Sequence, residues 1–152
     1  MNQMRINPVH LGAIASRDVP DCWMLTSSDQ LEMTIARATA DEDLFIATVR
    51  IAVLLPEAQA YQLAAALMLN RDSKNLNGGA VAYNVHDDSF LYCKAIDARK
   101  LSLTSFHRQT TEGFATARTL RDLMRHAQED IGPQPLPLMA PSIMHLLAGK
   151  PT

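Results

Sequence analysis

The sequence predicts an α+β fold, an antiparallel sheet with flanking helices in the element order α-β-β-β-α-β-β-α, and three observations predict it. Residues 31–37 (LEMTIAR) alternate, with Leu31, Met33 and Ile35 on one side and Glu32 and Thr34 on the other. That is the period-two pattern of a half-buried strand. Apolar positions recur at the helical period from Leu103 through Phe106, Thr110, Gly113/Phe114, Ala117, Leu120 and Met124 to Ala127, while Arg118, Arg121 and Arg125 fall outside that stripe. The segments between the periodic stretches are short and polar, as suits antiparallel neighbours.

In chain order, residues 9–16 (VHLGAIAS) read as a short helix, with Asn7 as N-cap and Pro8 at the first helical position. Residues 22–27 (CWMLTS) read as a strand leading into a turn at Ser28-Asp29. The alternating strand 31–37, the polar loop 38–43 and the β-branched strand 44–53 (LFIATVRIAV) complete a three-stranded meander. Its inward-reading positions are Leu31, Met33, Ile35, Leu44 and Ile46.

Pro56 then opens a helix that runs to about Leu69, with Glu57 placed near its positive end. Ala58, Tyr61, Ala65 and Met68 share one face, Leu63, Ala66 and Leu67 lie off it, and nothing from Leu63 to Leu69 is polar. A helix apolar all round must be covered on more than one side. One cover is the chain's own sheet, and the second expected cover is another subunit. Strands at 80–85 and 89–96 follow, joined by a turn at His86-Asp87-Asp88. The domain is expected to span residues 1–130. Residues 131–152, with prolines at 133, 135, 137 and 141, read as an extended C-terminal tail.

Composition narrows the function classes. The 152 residues suit one domain, and 47% apolar with 20% charged residues suits a packed core. Lys+Arg 14 against Asp+Glu 16 leaves a net charge of −2 with no basic run, so no nucleic-acid footprint is present. Two cysteines, Cys22 and Cys93, imply no disulfide scaffold and read as buried thiols in a reducing compartment. The N-terminus lacks the pattern of a signal peptide, and Arg50, Pro56 and Glu57 interrupt the apolar stretch 45–69, so no membrane span is expected. The expected location is the cytoplasm.

The candidate chemical sites are weak. Gly78-Gly79 lead into a strand, whereas a phosphate loop leads into a helix N-terminus, so the pair reads as a tight strand entry. His86-Asp87-Asp88 has turn residues and no second ligand cluster, and Asp41-Glu42-Asp43 reads as a solvated loop. Ser102 or Thr104 reads as a helix cap rather than a partner of Ser105 and His107 in nucleophilic catalysis. The reading therefore expects no catalytic residue, no cofactor and no metal.

The run Leu67-Met68-Leu69-Asn70, a polar loop, Gly78-Gly79-Ala80-Val81-Ala82, the turn His86-Asp87-Asp88, the strand Phe90-Leu91-Tyr92 and the long last helix together resemble class I type III secretion chaperones, the Tir-chaperone-like family. The resemblance covers roughly residues 20 to 127. It departs from the family in a shorter first helix and in the proline-rich tail. It implies a cytoplasmic homodimer without enzymatic activity, which binds the N-terminal segment of a secreted effector and presents it to the export apparatus. The secretion ATPase is a further partner by the same resemblance. Effector-binding pockets are then expected at Leu11, Ile14, Trp23, Leu25, Leu44 and Ile46, with Trp23, the one tryptophan, either the anchor or part of the core. The excess apolar surface of helix 57–69 beside the 80–96 hairpin gives an expected dimer interface at Leu63, Ala66, Leu67, Tyr83 and Tyr92. A small enzyme or ligand-binding domain, and a secretion regulator sharing the chaperone fold, are the competing readings.

Overall fold

The computed structural model describes residues 14–15, 21–38, 43–72, 74–97, 99 and 102–129. In chain order these form β1 (Ile14–Ala15), β2 (Cys22–Thr26), β3 (Glu32–Arg37), β4 (Leu44–Val53), a 3-10 turn (Pro56–Ala58) running into α1 (Gln59–Arg71), β5 (Ala80–Asn84), β6 (Ser89–Asp97) and α2 (Leu103–Glu129). The six strands make one sheet in the order β1-β2-β3-β4-β6-β5, with every neighbouring pair antiparallel. The architecture is the expected α+β arrangement of an antiparallel sheet with flanking helices.

The first element differs from the expectation. Ile14 and Ala15, placed in a short helix by the sequence, form a strand pairing with Met24 and Trp23 of β2. The rest of the expected helix, the division at residue 130 and the tail lie outside the described residues. The physical reason is competition. A helix of eight residues is marginal in water, and Gly12 weakens it further, while the edge of β2 offers unpaired backbone groups to a β-branched residue such as Ile14.

Register sets which side chains meet the helices. Trp23 lies opposite Ile35, which lies opposite Ala47; Leu25 lies opposite Met33, which lies opposite Val49 and then Tyr92; Phe45 lies opposite Ile96. These residues form the inner face, and Met33, Ile35, Phe45, Ala47, Val49, Tyr92 and Ile96 are buried. α2 lays Phe106, Thr110, Ala117, Leu120 and Met124 on this face, all buried, as the helical period predicts. Gly113 lets it approach, since a Cβ there would lie 3.0 Å from the Met33 methyl. Ser102 caps the helix, its hydroxyl accepting from the Ser105 amide at 3.2 Å. One anchor holds the β2–β3 turn to α2: Arg118 donates to both carboxylate oxygens of Asp29, at 2.8 and 3.0 Å. That charge-assisted pair, then the Ser27 hydroxyl, hold the Asp29 carboxyl well below its usual range.

β4 carries one irregularity. Arg50 lies opposite Leu91 and Ala52 opposite Phe90, so Ile51 is an extra residue in the ladder. The bulge lets Ile51 and Ala52 both turn toward the core.

α1 packs against α2 and β5. Its inward side is Gln62 and Ala66, continued by Ala58 of the preceding turn. Gln62 is fully buried and satisfied: its Nε2 donates to the Val53 carbonyl at 2.9 Å, and its Oε1 accepts from the Leu55 amide at 2.8 Å. An unmatched amide there would cost about 1–3 kcal/mol. After α1 the chain turns through Leu76, whose carbonyl accepts from the buried Tyr92 hydroxyl at 2.8 Å and from the Gly79 amide at 2.8 Å. Gly78 adopts φ +77°, the left-handed region. At Gly79 the constraint is space, since a Cβ would lie 2.7 Å from the Cys93 carbonyl oxygen.

Candidate functional site

The same register that fills the inner face assigns the outer one. Rows of residues cross the sheet there: Met24, Thr34, Thr48, Cys93 and Ala80 in one row, and Cys22, Ala36, Ile46 and Ala95 in the next. Leu44 and Leu91 share this side. Both described helices lie on the opposite face. Among the described residues the outer face carries small and aliphatic side chains around Leu44, Ile46 and the exposed Met24 (41%), and beside them a polar part with Glu32, Thr34, Thr48, Arg50 and Asp87.

The two lateral edges of the sheet also face outward. At one, the described residues of β1 pair with Met24 and Trp23 of β2. At the other, the amide of Asn70 meets β5: its Nδ2 donates to the Val81 carbonyl at 2.8 Å and its Oδ1 accepts from the Val81 amide at 2.7 Å.

A third surface is the outward side of α1. Tyr61, Leu63, Leu67 and Met68 are exposed, Leu67 by 72% and Met68 by 74%, with the exposed Ala60 and Ala64 between them. Beside it a groove of about 730 Å³ runs between α1 and α2, walled by Ala65, Met68, Leu69, Leu76, Leu120 and Leu123.

The structure divides the residues assigned to effector binding. Leu44 and Ile46 lie on the outer face, whereas Trp23 and Leu25 lie on the inner one. They do not form one pocket. The inward reading of Leu44 and Ile46 is corrected to Phe45, Ala47, Val49 and Ile51. The run Leu44-Phe45-Ile46-Ala47 is apolar at every position, so alternation cannot choose a face; the pairing of Phe45 with Arg37 and of Ala47 with Ile35 does. Trp23 is half-buried, its ring edge-on to Phe45 at 5.8 Å, and Arg37 stacks over Phe45 at 5.3 Å. Leu25 is core. Ile14 contributes its backbone to β1, and Leu11 lies outside the described residues.

The residues assigned to a dimer interface also divide. Leu63 and Leu67 are on the exposed side of α1. Tyr83 is 37% exposed, lies against Phe90 at 5.4 Å and donates to the Asp88 carboxylate. Ala66 and Tyr92 belong to the core of the chain itself. Ala66 follows Gln62 by one helical turn, on the side turned toward the sheet. Tyr61 and Met68, read from the sequence as sharing a face with Ala58, lie on the exposed side instead.

The polar clusters resolve into structural roles. Asp87 accepts from Arg50 at 2.7 Å and from the Ser89 hydroxyl at 2.6 Å, within the β5–β6 turn. Among the described residues no three His, Cys, Asp or Glu side chains converge on a common point. Half-burial raises the Cys93 thiol pKa and keeps it protonated near neutrality. Among the described residues no helix is long and apolar enough to cross a membrane.

The fold of the chain is shared with known proteins. The chain belongs to the Tir chaperone protein (CesT) family, whose pattern matches residues 22–121. No curated protein sequence matches it. Among solved structures, it is similar to the HopA1-SchA chaperone-effector complex, with a TM-score of 0.55 at 15% identity over 76% of this chain and 87% of that one. The ExsC-ExsE complex aligns at TM-score 0.58 and 16% identity, over 77% and 86% of the two chains. The Yersinia pestis type III secretion chaperone SycH, in complex with a stable fragment of YscM2, aligns at 0.52 and 20% over 74% and 92%. At these identities the likeness is one of fold.

Proposed function

We propose that the chain is a type III secretion chaperone that binds the N-terminal segment of a secreted effector, keeps it competent for export and delivers it to the export apparatus, without enzymatic activity of its own. The observation that carries this reading is the division of the sheet. One face is filled by α2, and the other carries an aliphatic surface around Leu44, Ile46 and Met24 beside the β1–β2 edge. An extended client satisfies its backbone by adding to such an edge and gains affinity by placing apolar side chains on the face beside it. Family membership supports the same reading, as do neighbours solved as chaperone-effector complexes. Trp23 closes the inner face at this end of the sheet and serves as a supporting contact.

The chain works as a homodimer through the exposed side of α1. That side carries Tyr61, Leu63, Leu67 and Met68 in one apolar surface, and an exposed apolar surface of this kind marks an interface. The secretion ATPase is the proposed docking partner for the loaded chaperone, and the cytoplasm is the proposed place of work.

The test is capture of the effector encoded beside the gene, by co-purification with wild-type chain and with Leu44→Asp/Ile46→Asp. Wild type retains the effector's N-terminal segment, and the double variant loses it while keeping its fold. Equal capture by both would refute the outer-face site. In parallel, light scattering of wild type gives twice the chain mass, and Leu67→Asp gives the chain mass.

A further inference from the structure

We propose that Asn70 closes one end of the sheet to extension: its side-chain amide occupies the β5 edge in place of a neighbouring strand, so β5 takes up neither a client nor a second copy. This rests on the reading of the outer face and edge as a site for an extended client.

The argument begins with the ladder. In an antiparallel pair, successive residues direct their N–H and C=O alternately toward the partner strand and away from it. β5 pairs with β6 through Ala80–Cys93, Val81–Tyr92, Ala82–Leu91, Tyr83–Phe90 and Asn84–Ser89. Both backbone groups of Val81 bond to the Asn70 side chain, so Val81 is an outward rung, and Gly79 and Tyr83 share its parity. A primary amide has the same donor and acceptor as a peptide group. Asn70 therefore presents to Val81 what the next strand would present.

One neighbouring rung is also engaged. The Gly79 amide donates to the Leu76 carbonyl at 2.8 Å within the loop. Tyr83 has its ring on Phe90 and its hydroxyl on Asp88 across the hairpin. An added strand needs consecutive rungs, and this edge offers at most the one at Tyr83. At the opposite edge the described residues of β1 pair with Met24 and Trp23 of β2. Exposed strand edges template pairing with other chains unless something blocks them. Asn70 is fixed for this task at the end of α1, where the Asp72 amide closes the last turn on the Leu69 carbonyl at 3.1 Å.

The experiment uses the full chain with no client, so its outcome is separate from that of the chaperone reading, which fails if wild type captures no effector segment. Hydrogen exchange of the Val81 amide and sedimentation are compared for wild type, Asn70→Ala and Asn70→Ala/Tyr83→Pro. In Asn70→Ala the Val81 amide exchanges about tenfold faster or more, while the β4–β6 amides keep their protection. The same variant forms concentration-dependent species larger than wild type at protein concentrations on the order of 100 μM. Proline at 83 has no N–H for the remaining rung, so it removes those species. Should Asn70→Ala fail to fold, Asn70→Asp keeps the size and the acceptor but not the donor, and is expected to associate likewise. An Asn70 variant that is folded and sediments as wild type overturns the proposal, and so do larger species that persist with proline at 83.

Discussion

The two faces of the sheet come from the same six strands and differ in what was selected for each. The inner face uses large, shape-specific side chains: Met33, Ile35, Phe45, Val49, Tyr92 and Ile96, all buried under α2. The outer face uses Ala36, Thr34, Thr48, Ala80, Ala82 and Ala95, interrupted by Leu44, Ile46 and Met24, with Glu32 and Arg50 toward one end. Large interlocking residues define one partner and tolerate no other. Small residues with a few aliphatic ones give a flat, sticky surface that accepts many side chains. The first face holds the fold together, and the second is the one proposed for a chain that has no fold of its own.

The strongest way to break this comparison is to truncate the inner face. Phe106→Ala removes a fully buried ring between α2 and the sheet and is expected to lower stability by about 3–5 kcal/mol, read by urea denaturation. The matching change on the outer face, Ile46→Ala, is expected to cost about 1–2 kcal/mol, since that side chain is only half-buried. Equal losses at the two sites would mean that the outer face is covered in the free protein.

A finer test concerns Trp23, which borders the inner face without being enclosed. Trp23→Ala is expected to cost about 2–3 kcal/mol through lost contact with Phe45, and to weaken effector capture only as far as stability falls. Capture lost at full stability would make Trp23 a binding anchor rather than a support.

Acid titration sharpens the account of what holds α2 in place. The folded-state pKa of Asp29 is depressed below its ordinary 3.8 by Arg118 and Ser27. Its contribution is therefore fully present above about pH 4 and is lost as pH falls through the lower, folded value. Asp29→Asn should lower the melting temperature near neutral pH and flatten its decline between about pH 4 and 2. An unchanged acid profile would show that the anchor is energetically silent. The smallest effect is expected at Cys93. The raised thiol pKa predicts slow alkylation at pH 7.5, faster at pH 9, followed by mass spectrometry of the intact protein.

Most of the inner face was legible in the sequence, because its signals are periodic. Leu31, Met33 and Ile35 announce one side of β3, and the α2 stripe from Phe106 to Met124 includes even the small residues Gly113 and Ala117 where the helix must approach. The outer face was not legible, because it depends on the parity of β4, where four apolar residues in a row carry no alternation. β1 escaped for a different reason: two residues are too few for any period, and only the unpaired edge of β2 calls them into the sheet. The roles of Gln62 and Asn70 were hidden too, since a polar residue on a helix ordinarily marks the solvent side. The signal that could have found them is an isolated amide within an otherwise aliphatic helix.

Gln62 has a mechanical consequence. An alanine-rich helix is nearly smooth, and a smooth cylinder resting on apolar side chains can slide or roll with little change in contact energy. Directional bonds remove that freedom. The Gln62 amide fixes one point of α1 to the Val53–Leu55 segment at the end of the longest strand. The Asn70 amide fixes a second point at Val81, eight residues or about 12 Å farther along the axis. Two dowels set both the height and the rotation of a rod. Whatever meets Leu67 and Met68 on its free side therefore meets them at a position indexed to the sheet, as a key meets a lock whose barrel cannot turn.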